Sequence, residues 1–149
     1  MIARGDNMIY TDKTKKAMKV CFDAHKDQTD KSGMPYVHHP FHLAEQMDTE
    51  DAAIVALLHD VAEDTDCTLE DLEEMGFGPN VMQALALLTH GDGVDYMEYV
   101  SAIKANPLAT KVKLADLEHN SDLTRLDVVD EKALKRRETY LEAKKLLEE

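Results

Sequence analysis

The feature that most constrains this chain is an uncharged run that leads directly into a histidine and an aspartate. Residues 52–58 (AAIVALL) carry no polar side chain and are followed by His59 and Asp60. Such a run predicts a helix that packs in the core. An imidazole and a carboxylate at its end would leave the core together, and both are potential metal ligands.

Two more acids follow within one helical turn. Glu63 and Asp64 are each four positions beyond a member of the first pair, and offsets of four return to the same helix face. His59 is therefore predicted to stack with Glu63, and Asp60 with Asp64. Three acids and a histidine beside an apolar run are unfavourable unless a cation offsets the charge, so the stretch predicts a metal site.

The bulk composition favours a helical protein and excludes some classes of partner. A chain of 149 residues suits one domain with a sizeable core, and its low aromatic content of 5% favours helices over sheet. Thirty acidic residues against 17 basic ones give a net charge of −13, which argues against nucleic-acid binding.

The cysteines and the apolar runs indicate a compartment. Cys21 and Cys67 form no CxxC pair, which fits a reduced, cytoplasmic setting. No apolar run approaches the roughly 18 residues that span a bilayer, and Arg4 and Asp6 interrupt any signal-peptide core. We therefore expect no membrane association.

Hydrophobic periodicity and capping residues predict an all-α fold, a compact bundle of about eight helices in a single domain over residues 1–149. Residues 1–9 are expected to be a loose lead-in, and Pro40 in a first helical turn would leave His39 at the cap position. The last helix is expected to make its apolar contacts through Leu134, Leu141, Leu146 and Leu147. These leucines could pack on the domain or on a second copy of the chain, so an oligomer is a possible state. The predicted helices cover 11–27, 40–47, 49–62, 68–76, 79–89, 94–105, 108–126 and 131–149.

A later helix adds a fourth metal-ligand candidate. Asp116 lies beside the apolar seam of Leu114 and Leu117. Together with His39, His59 and Asp60 it would supply two imidazoles and two carboxylates, a set that suits Mn, Fe, Co or Zn and balances a divalent charge. Spacing leaves ordinary alternatives open, since His39 could cap a helix, His59-Asp60 could form a polar helix end and Asp116 could lie on the surface.

Three ordered motifs identify a family resemblance. They are His39-Pro40, HDxxEDT over residues 59–65, and KLADxxHN over residues 113–120. This set closely resembles the HD-type hydrolase domain of the RelA/SpoT alarmone enzymes, which stand-alone small alarmone hydrolases share. The resemblance extends over roughly residues 10–145.

The resemblance implies an all-helical hydrolase with one divalent metal, usually manganese. By this resemblance His39, His59, Asp60 and Asp116 are the metal ligands, and the catalytic pair that positions the attacking water is Glu63 and Asp64. The family substrate is (p)ppGpp, cut at its 3′ position to release pyrophosphate. Because the nucleotidyl-transfer domain of the long bifunctional members is not in this sequence, we expect hydrolysis without synthesis.

The sequence departs from the family pattern where the nucleotide is bound. Asp30 replaces an arginine common in the family, and Leu117 replaces a basic residue. Positive charge is therefore expected from other residues, with Arg137 pointing inward and its neighbours Lys135 and Arg136 on a solvated face. The predicted substrate-binding residues are Lys31, Lys113, Asn120 and Arg137, and Arg125 is a further source of charge.

Three functions are consistent with the sequence. The first is a metal-dependent (p)ppGpp 3′-pyrophosphohydrolase, and the second is a phosphohydrolase of another nucleotide, such as the 2′-phosphate of NADPH. The third belongs to another class, a catalytically idle domain that binds a nucleotide or a protein. The presence of both Glu63 and Asp64 speaks against the third.

Overall fold

The structure is a computed structural model that describes residues 7–149, so the expected lead-in over 1–9 lies mostly outside the described residues. Within this range it has nine α-helices, a 3-10 turn at Leu123–Arg125 and an isolated bridge between Thr29 and Pro35 in place of any strand. The all-α prediction is confirmed. The helices are α1 (Asp12–His25), α2 (His38–Glu45), α3 (Glu50–Leu58), α4 (Val61–Asp64), α5 (Leu69–Glu74), α6 (Pro79–Leu88), α7 (Tyr96–Ile103), α8 (Pro107–Asn120) and α9 (Glu131–Glu148).

Helix α3 is the centre around which the other helices pack. All seven residues of the run 52–58 are buried, and α1, α2, α6 and α8 contact the helix from different sides. The Thr49 hydroxyl accepts the Ala52 backbone N–H at 3.1 Å and caps the first turn. An apolar helix enclosed in this way has no solvent face, so its position in the core is fixed by burial on every side.

The predicted continuous helix over 49–62 is wrong, because the chain breaks at the His59-Asp60 pair. Helix α3 ends at Leu58, and the single-turn α4 begins at Val61. The His59 ring nitrogen Nδ1 lies 2.6 Å from the Ala56 carbonyl, which the Asp60 N–H would engage in a continuous helix. The break gives nine helices where about eight were predicted.

Two other boundaries differ from the prediction. Val37 is the cap of α2, so His39 is its second residue rather than its cap, which places Pro40 two positions deeper, at the third residue of the first turn. Helix α8 ends at Asn120, six residues before the predicted end at 126, and the Asp122 side chain then caps the 3-10 turn.

Helix α9 faces the core through only part of the predicted set, since Leu147 is buried and Leu146 packs against the core as predicted. Its buried residues are Ala133, Ala143 and Leu147, whereas Leu134 and Leu141 remain 46% and 40% exposed. This face of the helix packs on α7 and α8. None of the helices between residues 7 and 149 combines the length and apolar character of a membrane span.

The central position of α3 gives a stability test with a matched control. Leu57 is fully buried in α3 and Leu134 is 46% exposed on α9. We expect Leu57→Ala to lower the free energy of unfolding by about 2–5 kcal/mol, because it leaves a cavity in the core. Leu134→Ala should change it by only about 0.5 kcal/mol. Urea unfolding followed by circular dichroism compares the two, and equal losses would contradict a core centred on α3.

Candidate metal centre

Four side chains from three parts of the fold meet at one point. His39 comes from the first turn of α2, His59 and Asp60 from the break after α3, and Asp116 from the last half of α8. One ligand atom from each lies within 4.8 Å of all the others. The structure thus brings together the four residues that the sequence predicted as ligands, and their role as ligands stays a prediction.

Imidazole nitrogens and carboxylate oxygens face one another in this cluster. The Nε2 atom of His39 is 2.7 Å from Asp116 Oδ1. The Nε2 atom of His59 is 3.0 Å from Asp60 Oδ2 and 3.4 Å from Asp116 Oδ1, yet it makes no hydrogen bond of acceptable geometry. A buried ring nitrogen without a hydrogen bond, aimed among carboxylates, fits a metal ligand.

The outer ring nitrogen of each histidine has a hydrogen-bond partner that helps to orient the ring. A carbonyl can only accept, so the His59 Nδ1–H donates to Ala56 O and leaves Nε2 as the lone-pair atom. The Nδ1 of His39 lies 2.7 Å from the Nδ1 of His119. Such outer contacts are typical of histidines that bind metal ions.

The carboxylates are held by neighbouring donors. The Tyr36 hydroxyl donates to Asp60, and the Asn120 amide donates to Asp116 Oδ1 at 3.0 Å. The Lys113 ammonium donates to Asp116 Oδ2 at 3.0 Å and lies 5.2 Å from the centre of the Tyr99 ring. Each carboxylate therefore has a fixed direction before any ligand binds.

The electrostatics keep the central carboxylate ionised. Burial opposes ionisation of Asp116, but the Lys113 ammonium and the two imidazoles hold its pKa well below the usual range. Burial likewise lowers the pKa of His59, but the charges of Asp60 and Asp116 raise it well above the usual value. A proton and a metal ion therefore compete for His59 Nε2.

The two predicted catalytic acids lie at the exposed edge of the cluster. Their carboxylates and that of Asp60 are within 4.8 Å of one another. Glu63 Oε1 accepts the His90 backbone N–H at 2.6 Å, which turns this side chain toward the loop after α6. Burial, with the charges of Asp60 and Glu63, raises the pKa of Asp64 to about 6. Asp64 can thus hold or release a proton near neutral pH.

A cavity of about 300 Å³ adjoins the cluster. It shares Tyr36 and Asn120 with the contacts to the metal-site carboxylates, and its lining includes the basic residues Lys31, Arg125 and Arg136. A larger open cleft of about 650 Å³ lies at the other end of α3, where its lining includes Thr49 but no predicted site residue. The smaller cavity is the one placed to serve chemistry at the cluster.

The predicted substrate-binding residues divide into two groups. Lys31 and Asn120 line the cavity. Lys113 is instead buried with its ammonium on Asp116, and Arg137 is exposed, where its Nε donates to the Ser121 carbonyl at 3.2 Å. Arg136 lines the cavity in its place, because one residue along a helix turns the side chain by about 100°.

Asp30, which replaces an arginine common in the family, is held in the wall of the cavity by local contacts. The Asp30 Oδ1 atom accepts the backbone N–H groups of Ser32 and Met34 at 2.9 and 3.0 Å, which shapes the loop after α1. Its Oδ2 is 3.9 Å from Arg125 Nη2. Four further residues contact the cluster or line the cavity, although the sequence analysis gave them no role in the site. They are Tyr36, His119, Arg136 and Tyr140. The KLADxxHN motif includes His119 and was a signal for that residue.

Comparison with known proteins supports a family assignment. Residues 17–119 match the HD domain family, and the chain belongs to that family. The resemblance to RelA/SpoT enzymes is confirmed by its relatives. The bifunctional (p)ppGpp synthase/hydrolase SpoT of Escherichia coli K12 is 32% identical over 121 residues, which cover 71% of this chain and 17% of SpoT. The chain thus spans about a sixth of the length of such relatives.

A shorter relative and a solved structure are also informative. The mouse protein MESH1, a guanosine-3′,5′-bis(diphosphate) 3′-pyrophosphohydrolase, is 36% identical over 121 residues, which cover 70% of this chain and 66% of MESH1. A solved metazoan orthologue of SpoT that hydrolyses ppGpp superposes with a TM-score of 0.78 at 24% identity. The match covers 94% of this chain and 88% of the solved chain, and it shows that the two share a fold.

The convergence of four ligands predicts how metal binding responds to substitution. We expect His59→Ala to weaken the Kd for Mn²⁺ by more than about 100-fold, because it removes a direct ligand and even the outer partners of ligands affect affinity by 10- to 100-fold. His38→Ala should bind Mn²⁺ normally, since His38 is exposed beside the site. Calorimetric titration of both variants measures the difference, and equal affinities would exclude His59 as a ligand.

Proposed function

We propose that residues 7–149 act as one HD hydrolase domain, a metal-dependent phosphohydrolase that removes the 3′-pyrophosphate of (p)ppGpp. The observation that carries the proposal is the meeting of two imidazoles and two carboxylates within 4.8 Å, beside two further acids. The similarity to MESH1, whose name states this activity, supports the choice of substrate.

The donor set suits a divalent transition metal held by His39, His59, Asp60 and Asp116. Two ring nitrogens and two carboxylates fit Mn²⁺, which we propose as the resident ion, with Fe, Co and Zn as ions of similar preference. When bound, such an ion lowers the pKa of water and neutralises phosphate oxygens. The carboxylates of Asp60 and Asp116 balance its charge, and the Lys113 ammonium offsets the remaining oxygen of Asp116.

The exposed acids supply the proton chemistry. A water oxygen attacks the phosphorus next to the 3′ oxygen, the bond from that phosphorus to the 3′ oxygen breaks, and pyrophosphate leaves. The 3′ oxygen needs a proton and the attacking water loses one. Glu63 and Asp64 both lie within reach of the cluster, and Asp64, with a pKa of about 6, can exchange a proton near neutral pH. Either acid can serve either step.

The adjoining cavity suits a nucleoside. Its volume of about 300 Å³ is at the lower end of the range for small-molecule sites. Tyr36 and Tyr140 offer aromatic surface, while Lys31, Arg125 and Arg136 offer positive charge for phosphate oxygens. Asn120 contacts both Asp116 and Arg125, and so joins this cavity to the metal cluster.

A second nucleotide substrate is supported by one feature of this cavity. Asp30 places a carboxylate in its wall, where the family commonly has an arginine, and this carboxylate faces Arg125. A cavity of this charge pattern could select a different nucleotide, such as NADPH with its 2′-phosphate. The idle-domain alternative has less support, because Glu63 and Asp64 are both present beside the cluster.

The assignment of Glu63 and Asp64 as catalytic acids predicts that substituting either one lowers turnover without weakening metal binding. We expect Glu63→Gln to leave the Kd for Mn²⁺ within about threefold and to lower kcat by about 100- to 10,000-fold, the usual contribution of a proton-transfer group. Glu70→Gln on α5 is the control, since this glutamate is exposed and distant in the chain from the cluster. Unchanged turnover in Glu63→Gln would contradict the assignment, and Asp64→Asn tests the partner acid in the same assay.

The substrate assignment is tested by product analysis. Purified protein with Mn²⁺ is incubated separately with ppGpp and with NADPH. We expect pyrophosphate from ppGpp, no orthophosphate from NADPH, and loss of turnover after chelation of the metal. Orthophosphate from NADPH alone would favour the second function, and no product from either nucleotide would favour the idle domain.

A further inference from the structure

We propose that His119 is a positioning residue that fixes the ring of His39 in the tautomer that metal binding requires. The proposal rests on the proposed function, since it treats His39 as a ligand, but it concerns a residue outside the ligand set. Its basis is the contact between the two Nδ1 atoms and the arrangement of α8 around the His39 ring.

The contact between the two rings has the geometry of an in-plane hydrogen bond. The Nδ1 atoms are 2.7 Å apart, the ring planes differ by 4°, and the ring centres are 4.9 Å apart. This centre-to-centre distance is close to the largest that a 2.7 Å contact between the nitrogens permits. The rings therefore lie edge to edge in a common plane, which aligns the N–H of one with the lone pair of the other.

The contact with His119 bears on which His39 nitrogen is available to a metal ion. Its Nε2 is the atom that enters the cluster, where without a metal ion it can donate a proton to Asp116 Oδ1 at 2.7 Å. For Nε2 to offer a lone pair, the ring proton must be on Nδ1, and that proton needs an acceptor. His119 Nδ1 is the acceptor in place. Its own ring proton then belongs on its Nε2.

The local backbone offers His39 no substitute for this acceptor. His59 uses the carbonyl three residues earlier, Ala56 O, for its Nδ1–H. The corresponding carbonyl for His39 is Tyr36 O, and it accepts the His39 backbone N–H at 2.9 Å. The first turn of α2 thus leaves the ring to find its acceptor on another helix.

Helix α8 supplies both partners of the His39 ring. Asp116 contacts Nε2 and His119, three residues later and on the same helix face, contacts Nδ1. His119 is itself restrained, because its carbonyl accepts from Arg125 Nη1 at 3.0 Å and its ring lies 4.4 Å from that of His42. The ring of His39 is therefore held between two points of one rigid element.

Two substitutions separate the acceptor from the shape of the side chain. His119→Phe keeps a planar ring and removes the acceptor, whereas His119→Asn keeps a side-chain oxygen close to the place of Nδ1 that can accept. We expect the Kd for Mn²⁺ to weaken by about 10- to 100-fold in His119→Phe, as for other outer partners of metal ligands, and by less than about threefold in His119→Asn. His38→Phe is the control and should bind Mn²⁺ as the unaltered protein does.

The tautomer of His39 can be measured directly, and a simple loss of packing around the ring would not change it. With Zn²⁺ as a diamagnetic ion, ¹⁵N NMR of the histidine rings should show His39 protonated on Nδ1, with a coupling across the bond to His119 Nδ1. The coupling should be absent in His119→Phe. Circular dichroism and thermal unfolding check that each variant is folded.

The outcomes distinguish this proposal from the proposed function. Normal Mn²⁺ affinity in His119→Phe overturns the positioning role, and so does an equal loss in the Phe and Asn variants, which would assign the effect to shape. Because these titrations contain no nucleotide, they do not depend on the substrate. If the unaltered protein binds Mn²⁺ but leaves ppGpp intact, the proposed function fails while the role of His119 stands.

Discussion

The structure of the site depends on one buried carboxylate, that of Asp116. Only 5% of this residue is exposed, and removing an ion of this kind from water costs several kcal/mol unless partners compensate. The partners are Lys113 and Asn120 on its own helix and two imidazoles from elsewhere, His39 on α2 and His59 after α3. The charge that makes the centre suitable for a metal thus also ties α8 to its neighbours.

The sequence predicted the features that depend on residues close together in the chain, such as apolar runs and helix caps. It did not predict the features that depend on contacts with neighbouring helices. The apolar run 52–58 identified α3, and the predicted start of a helix at residue 68 matches α5, where Thr68 and Asp71 form a capping box. The break after Leu58 depends on a contact of the His59 ring with the backbone, which no periodicity reveals. Helix α9 is charged around most of its circumference, so its pattern could not decide that Arg136, rather than Arg137, faces the cavity.

The site combines a rigid part with an exposed part. The four proposed ligands have outer contacts that fix their direction, such as Ala56 O for His59 and the Tyr36 hydroxyl for Asp60. Glu63 and Asp64 lie at the edge, where solvent and substrate can reach them. This division suits hydrolysis, because a metal must be held at constant geometry whereas proton-transfer groups have to exchange protons with water during each cycle.

The acidic character of the whole chain does not prevent it from binding a polyphosphate. Its net charge of −13 would repel an anionic nucleotide at long range, but salt screens exposed charges beyond about 8 Å at physiological ionic strength. At shorter range the local groups decide, and the cavity wall contains Lys31, Arg125 and Arg136 against Asp30 and Asp122. This leaves one excess positive charge in the cavity, and a divalent ion would offset the negative charges of Asp60 and Asp116 beside it. The proposed binding of a nucleotide would therefore depend on the metal and on these few side chains, rather than on the charge of the protein as a whole.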